Sequence, residues 1–313
     1  MLAVGVGARG AAACSAQWRS TTSQRLIGDT QGFEAVTVVD RSHAWAVGSK
    51  VVSGTWLRPL VLRWNGKRWT ELGNPFRSGE FRDVVAVGPN DLWAVGEQHD
   101  TALVAHWDGR RWHRERAPGT SGGFWGIEVG DGGRLWMVHQ RGVYDWTARR
   151  WRLRVPQAQE LEGVVFRTPT DAWAWAVVDR KPDRFQQRGG AIYRTRNGGW
   201  VKTPFPARSI GEVVIDGRGV WARGRTEHQN RLLRWAGRWR RVSGLRDPVS
   251  VVAAPGGAPY LLSRGDPWRL GRLGGPAAAV PLGEQDAVSS FDVRDGVAAI
   301  VTPSQLLIGP ITC

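Results

Sequence analysis

The chain has 313 residues, with 41 glycines and 17 prolines, a composition that fits many short strands joined by tight turns in one large all-β domain or in two ordinary domains. No stretch approaches the eighteen or so consecutive apolar residues of a membrane-spanning helix, which excludes that class. The formal net charge is +15, but the arginines lie along the whole chain without a basic run. This pattern indicates loose attraction to polyanions and disfavours a nucleic-acid-binding function.

The N-terminal residues 1–16 are expected to be the remnant of an export signal or a flexible arm, since they are rich in glycine and alanine and have no basic start. The stretch "AAAC", from Ala11 to Cys14, also loosely resembles the lipobox of bacterial lipoproteins, in which the cysteine carries a lipid anchor. Residues 17–23, "QWRSTTS", follow as a predicted strand. A single domain is expected to span residues 17–313.

Residues 33–245 contain five copies of one unit, and two weaker copies begin near Val249 and Val288. The copies start about 37 to 49 residues apart, the spacing of four-stranded propeller blades. Each unit resolves into four strands, named a to d in chain order. In the second copy they read "RDVVAV", "LWAVG", "ALVAHW" and "RWHRER". Strand a is nearly all apolar and strand d alternates polar with apolar residues, so burial falls from a to d.

This gradient predicts an all-β fold: a seven-bladed β-propeller with four-stranded antiparallel blades, in which strand a lines a central shaft and strand d forms the rim. The link between strands c and d repeats as "WNGKRW", "WDGRRW" and "WAGRW", whose Asn-Gly and Asp-Gly pairs supply the positive-φ residues of tight hairpins. A turn centred on Gly66-Lys67 would make Trp64 and Trp69 cross-strand neighbours, whereas a turn at Asn65-Gly66 would pair Trp69 with Leu62. The sequence leaves both open.

Fifteen of the nineteen tryptophans recur at fixed positions in strands b, c or d. A residue repeated at one position of every unit is expected to pack between neighbouring blades rather than to bind a ligand. The tryptophans outside these positions are Trp56, Trp125, Trp175 and Trp268.

The last copy ends with strand c and has no strand d of its own. Residues 17–23, with Trp18 at the strand-d position, are expected to complete this blade and to remove an open sheet edge. Closure would bring Cys14 and Cys313 to the place of a missing c–d turn, which predicts a disulfide worth on the order of 5 kcal/mol in the chain-entropy account. Such a bond requires an oxidising compartment. The disulfide and the lipid anchor are alternatives for Cys14, and both predict export.

The repeated D-x-W-A-V-G and W-[DN]-G-x-x-W signatures, clearest at Asp91–Gly96 with Trp107–Trp112, resemble those of bacterial exported β-propeller repeat proteins in the sialidase-like and YVTN-like group. The resemblance covers residues 33–245 well and implies binding or scaffolding at the cell envelope. Sialidase chemistry is disfavoured, because the nearest match to an Asp box, "TRNGGW" (Thr195 to Trp200), has Asn for Asp and is too short. A fold alone specifies no reaction.

In a propeller the b–c and d–a connections open on one face, and in this chain they vary most in length and composition, as functional loops do. In the fourth copy, arginines of the long polar b–c loop would hold an anionic group and Phe185 would add an apolar contact. A solvated surface loop explains the same residues equally well. The candidate ligand-binding residues of this face are Trp56, Arg58, His99, Asp100, Trp125, His139, Arg141, Arg180, Arg184, Phe185, Arg188 and His228.

Three of these residues, His99, Asp100 and His139, come from adjacent blades, but their spacing matches no metal-ligand motif, so no metal is assigned. No cofactor is expected, since nucleotide and redox motifs are missing. The favoured function is a non-enzymatic monomer, secreted or attached to the cell envelope, that binds a partner protein or an anionic glycan through the b–c and d–a loop face. A polysaccharide hydrolase or lyase acting at that face and a purely structural scaffold are the alternatives.

Overall fold

The computed structural model describes residues 14–22, 32–54, 56–117, 124–130, 133–139, 142–156, 161–168, 170–179, 188–196, 199–226, 229–254 and 257–312. These residues form seven antiparallel sheets arranged as the blades of a propeller, as the repeat pattern predicts. No helix of the described residues is long and apolar enough to cross a membrane.

The strands of the first three blades follow the predicted units closely. Blade 1 consists of β3 (Phe33–Asp40), β4 (His43–Ser53), β5 (Trp56–Trp64) and β6 (Trp69–Glu71). Blade 2 consists of β7 (Glu80–Gly88), β8 (Asp91–Gln98), β9 (Thr101–Trp107) and β10 (Trp112–Arg114). Blade 3 consists of β11 (Phe124–Val129), β12 (Leu135–His139), β13 (Gly142–Thr147) and β14 (Arg150–Pro156).

The other four blades include the two weak copies. Blade 4 consists of β15 (Leu161–Thr168), β16 (Asp171–Asp179), β17 (Arg188–Arg196) and β18 (Gly199–Thr203). Blade 5 consists of β19 (Ser209–Asp216), β20 (Gly219–Arg225), β21 (Asn230–Trp235) and β22 (Trp239–Arg241). Blade 6 consists of β23 (Pro248–Val252), β24 (Tyr260–Ser263), β25 (Trp268–Arg272) and β26 (Ala277–Val280). Blade 7 consists of β27 (Ser290–Arg294), β28 (Val297–Val301), β29 (Gln305–Thr312) and the N-terminal β1 (Ser15–Ala16) and β2 (Arg19–Thr22).

The N-terminal segment closes the ring as predicted. β2 pairs with β29 from Arg19 opposite Ile308 to Thr22 opposite Gln305, and β1 places Ser15 opposite Thr312. The indole N–H of Trp18 donates to the carbonyl of Ala279 in blade 6 at 2.8 Å, so the closing strand also touches the preceding blade. Cys313 lies outside the described residues, and its disulfide with Cys14 stays a prediction.

The hydrophobic core is divided among the seven interfaces between neighbouring blades. Between blades 1 and 2, for example, Trp45 packs with Phe81, and neither side chain has exposed surface. Burying a side chain of this size stabilises the fold by about 1.5–3 kcal/mol. Because each cluster spans two blades, a single blade cannot bury its own apolar surface.

The c–d hairpin of blade 1 answers the question that the sequence left open. Trp64 pairs with Trp69 across the strands, and their ring centroids lie 5.6 Å apart. The Asn65 side-chain oxygen accepts the amide N–H groups of Lys67 and Arg68, both at 3.0 Å, and Gly66 has a φ of +87°. The turn is therefore centred on Gly66-Lys67.

All fifteen recurrent tryptophans are buried or half-buried, which confirms their packing role.

Candidate functional site

The b–c hairpin of blade 1 extends beyond the rest of its sheet. β4 pairs with β3 as far as Gly48, opposite Phe33, and continues to Ser53 paired with β5. The apolar and β-branched residues of this b–c connection favour extended backbone, and they lengthen both strands. The hairpin tip therefore projects from the b–c and d–a face.

Trp56 stands at the tip of this hairpin with 60% of its surface exposed, and the neighbouring Val52 is 52% exposed. The ring of His99, from blade 2, packs edge to face with the indole at a centroid distance of 5.9 Å. His99 and Asp100 form the b–c turn of blade 2 with φ values of 48° and 56°, the conformation of a tight two-residue hairpin turn. The structure thus brings Trp56, His99 and Asp100 together on one corner of the face.

Arg58 lies half-buried behind this corner. Its Nη2 donates to the Asn74 carbonyl at 3.3 Å, while opposite it on β4 Lys50 Nζ pairs with Glu71 at 2.6 Å. Both long basic side chains are therefore held against the hairpin base. They frame the aromatic tip with polar groups and do not cover it.

His139, predicted for the same face, is placed differently. It ends β12 with no exposed surface, and its ring lies 6.2 Å from that of Tyr144. The expectation that it presents a loop side chain is corrected, because the strand pairing of β12 with β13 extends to His139 and encloses it. Among the described residues, no group of three or more His, Cys, Asp or Glu side chains is arranged to hold a metal ion.

The other residues predicted for this face add no described side-chain contact to the Trp56 corner. Trp125 lies within β11 and Arg188 begins β17. Arg141, Arg180, Arg184, Phe185 and His228 lie outside the described residues.

A second candidate site is the central shaft. Strand a of every blade borders a cavity of about 330 Å³. A second cavity of about 400 Å³ adjoins it, and the two share the lining residues Phe166, Ile215, Ala253, Asp292 and Arg294. The polar and charged residues that line the first cavity are Thr37, Asp83, Glu128, Ser290, Asp292 and Arg294.

Two of these carboxyl groups join neighbouring blades, a role that the sequence did not reveal. Asp83 Oδ2 accepts the amide N–H of Ile127 in blade 3 at 2.9 Å, and Asp292 Oδ2 accepts that of Val38 in blade 1 at 2.8 Å. Glu212 of blade 5 likewise accepts the Val251 amide of blade 6 at 2.7 Å. Innermost strands diverge and do not pair with each other, so a side-chain acceptor satisfies an amide that would otherwise be buried without a partner. The available signal was one acidic residue in an otherwise apolar strand a.

Burial within the shaft walls raises the pKa values of the carboxyl groups that line the cavity. It raises the pKa of Asp83 to about 6, in spite of the hydrogen bonds from Ile127 and Val84 that stabilise the charged form. Glu128 is reached by water within the shaft but surrounded by protein. This enclosure is the largest cause, and the nearby Asp83 and Asp292 carboxylates are the next, that raise the pKa of Glu128 to about 8. Near neutral pH, Glu128 is therefore largely protonated and able to donate a proton.

The described lining of the shaft offers Glu128 few kinds of titratable neighbour. The described lining contains no His, Lys, Cys or Tyr, and two of its three carboxyl groups are engaged by backbone amides. A general acid or base must lie within hydrogen-bond reach of the proton that it transfers to or from the substrate. Among the three carboxyl groups of the described lining, Glu128 is thus the one that accepts no backbone amide.

No protein-family model and no curated protein matches the sequence. Similar solved structures include a catalytically inactive histidine-to-alanine variant of virginiamycin B lyase from Staphylococcus aureus with quinupristin. It is 12% identical, has a TM-score of 0.63, and the match covers 95% of this chain and 100% of the lyase. YCF48 from Cyanidioschyzon merolae is 15% identical, with a TM-score of 0.60 and coverage of 96% and 99%. The WD40 propeller domain of Doa1 is 13% identical, with a TM-score of 0.66 and coverage of 94% and 97%. Likeness at such low identity shows the fold alone.

Proposed function

We propose that this propeller is a non-enzymatic binding module that recognises a partner protein through its b–c and d–a face. The observation that carries the proposal is Trp56, 60% exposed at the tip of a hairpin that extends past its blade. A convex aromatic tip fits a concave pocket on a folded partner. Tryptophan is also the residue type most enriched among the side chains that dominate protein interfaces.

The surroundings of Trp56 support this function. Val52 adds apolar surface beside it, His99 holds one side of the indole, and the exposed Asp100 supplies a polar rim. An apolar centre with a polar edge is the usual anatomy of such interfaces. An anionic glycan is the alternative ligand, for which the indole would serve as a stacking surface.

Photo-crosslinking from position 56 tests the proposal. A photoreactive phenylalanine analogue replaces Trp56 or, as a control, Leu153, which is 47% exposed on the outer strand of blade 3. We expect one protein adduct from position 56 and none from position 153. The purified partner should then bind the W56A variant at least about tenfold more weakly than the wild type. Equal labelling from both positions would reject a protein partner. So would the finding that the W56A substitution weakens binding to an acidic polysaccharide and to no protein.

A polysaccharide hydrolase or lyase is the second candidate, and Glu128 is the observation that favours it. A carboxyl group with a pKa of about 8 that lines a cavity is suited to general-acid catalysis. Turnover of acidic polysaccharides by the wild type, abolished in E128Q, would establish this function. The absence of turnover, or equal turnover by both proteins, would leave Glu128 without a catalytic role.

Export is part of the proposal. The register that sets Ser15 opposite Thr312 supports a Cys14–Cys313 disulfide, since each of these residues adjoins a cysteine in the sequence. Intact mass measured with and without reductant distinguishes a disulfide, which gains two hydrogen atoms when the reductant supplies two electrons, from a lipid anchor, which adds mass in both conditions.

A further inference from the structure

The charge of this chain is concentrated in blade 5. Residues 209–241 contain eight arginines against Glu212, Asp216 and Glu227, a net of +5, or one third of the formal +15 from about one tenth of the chain. Arg238, Arg240 and Arg241 are close together in the sequence, and the pairing of the strands adds Arg234 to them.

Several of these arginines meet on the outer edge of the blade. Arg238 lies in the c–d turn and Arg240 and Arg241 in β22, the outermost strand, and all three are exposed. Arg234 of β21 stands directly opposite Arg240. Like charges in directly opposite positions destabilise a sheet unless a counter-charge is present.

No described carboxylate supplies that counter-charge. Glu212 is engaged by Ser250 and the Val251 amide and lies 3.6 Å from Arg223. Asp216 Oδ1 accepts the amide N–H groups of the turn that follows β19. Both acids lie on the inner strand, and within the described residues none forms an ion pair with Arg238, Arg240 or Arg241.

One arginine of this edge, Arg234, is also held in position. The Arg234 guanidinium lies over the Trp221 ring at 5.1 Å, and its Nη2 donates to the Arg218 carbonyl at 2.7 Å. Trp239, beneath the edge, is buried. A guanidinium fixed in this way loses little freedom when it binds an anion and can engage two oxygens at once.

The chemistry around the edge selects among polyanions. The described part of blade 5 exposes no large apolar or aromatic side chain, so it offers neither a stacking platform for nucleotide bases nor a group that inserts into lipid. We propose that the outer edge of blade 5, formed by Arg234, Arg238, Arg240 and Arg241, binds an acidic polysaccharide through its anionic groups. This site is separate from the Trp56 corner, so both can be occupied at once.

Fluorescently labelled heparin is the probe for this site, titrated by anisotropy at about 50 and about 200 mM salt, a range over which contacts to polyanions weaken strongly. We expect R238Q/R240Q/R241Q to bind roughly tenfold more weakly than the wild type, since three exposed charge contacts are lost. The charge-retaining R238K/R240K/R241K should stay within about threefold of the wild type. The matched control R110Q/R111Q/R114Q removes the same charge at the equivalent edge of blade 2 and should change affinity by less than about twofold.

Thermal unfolding of each variant shows that the propeller is intact, and W56A, which leaves this edge unchanged, should bind heparin as the wild type does. An equal loss in the blade 2 control would overturn the proposal, since the attraction would then be diffuse. Tighter, equally arginine-dependent binding of a thymidine oligonucleotide or of vesicles with acidic lipid would assign the edge to nucleic acid or membrane instead.

Discussion

Blades 2 and 5 have the same aromatic hairpin and opposite electrostatics. Trp107 pairs with Trp112 in blade 2 and Trp235 with Trp239 in blade 5, with ring centroids 5.6 and 5.3 Å apart. Yet residues 80–114 of blade 2 hold four arginines against six acidic residues, whereas blade 5 has a net charge of +5.

The difference lies in positions that the packing does not constrain. In blade 2, His106 and His113 stand opposite each other and are surrounded by Asp91, Asp108 and Glu115. In blade 5, Arg234 and Arg240 replace the two histidines, and the three positions of the carboxylates hold Gly219, Ala236 and Val242. The tryptophan positions are fixed because each must fill the interface with a neighbouring blade. The rim charges face water and are free to diverge, which makes them the part of a repeat that can acquire a distinct ligand.

The shared packing predicts the largest effect. The ring centroid of Trp93 in blade 2 lies 5.1 Å from that of Trp146 and 6.1 Å from that of Trp151, both in blade 3. The ring centroid of Trp239 lies 5.5 Å from that of Trp173 in blade 4. W93A and W239A should each lower the free energy of unfolding by about 3–5 kcal/mol, as large-to-small changes in a packed core do. Chemical denaturation measures this, with the exposed W56A as a control that should change little. A marked inequality between the two core variants would show that the blades differ in packing as well as in charge.

The inner carboxylates are the next shared element. Asp83 and Glu212 occupy equivalent places in strand a and accept an amide from the following blade. D83A and E212A should each cost about 1–3 kcal/mol, because a buried amide loses its acceptor. D83N and E212Q keep an acceptor oxygen and should cost less. Equal losses in the alanine and amide variants would show that the charge, and not the hydrogen bond, joins the blades.

The raised pKa of Asp83 gives this comparison a pH dependence. Its pKa in the folded protein, about 6, lies above the ordinary carboxyl value, so the folded state disfavours the ionised form. Its stabilising contribution is therefore complete below the unfolded pKa and declines as pH rises towards 6. The melting temperature of D83N should rise relative to that of the wild type between about pH 4 and 6 and stay parallel above about 7. If the melting temperatures of D83N and the wild type changed in parallel over the whole pH range, the pKa of Asp83 would not be raised in the folded protein.

The number of blades, the order of their strands and the N-terminal closure could be predicted because packing imposes a repeated pattern on the sequence. The c–d turn register could not, since it depends on side-chain acceptors such as Asn65, which the pattern allows in either of two turns. His139 was misjudged because a loop and a buried strand end look alike without the neighbouring strands. The projecting tip at Trp56 and the arginine edge of blade 5 depend on which residues stay uncovered after assembly, and no local pattern encodes that.

The smallest predicted effect comes from exchanging a single carboxylate between the two rims. In blade 2, Asp108 Oδ2 contacts His113 Nε2 at 2.7 Å, and Asp108 Oδ1 accepts the backbone N–H groups of Arg110 and Arg111. The hydrogen bond with His113 is the largest cause, and the two backbone N–H groups the next, that hold the pKa of Asp108 well below its usual range. Asp108 therefore stabilises the folded protein above the ordinary carboxyl pKa, and this contribution is lost only as pH falls through its lowered value. D108A should lower the melting temperature near neutral pH, with a difference that shrinks in strong acid.

The reciprocal change places a carboxylate among the blade 5 arginines. A236D should weaken heparin binding by about twofold to threefold, as the small worth of a single exposed ion pair implies. D108A should strengthen binding slightly by freeing the Arg111 side chain, whose Nε lies 4.0 Å from Asp108 Oδ2. Anisotropy at low salt measures both changes, and A236N, which adds the side chain without its charge, is the control. If A236N weakened binding as much as A236D, the shape of the turn would determine the affinity. The absence of a carboxylate at position 236 would then be a consequence of the shorter c–d turn of blade 5 and not the feature that creates its binding edge.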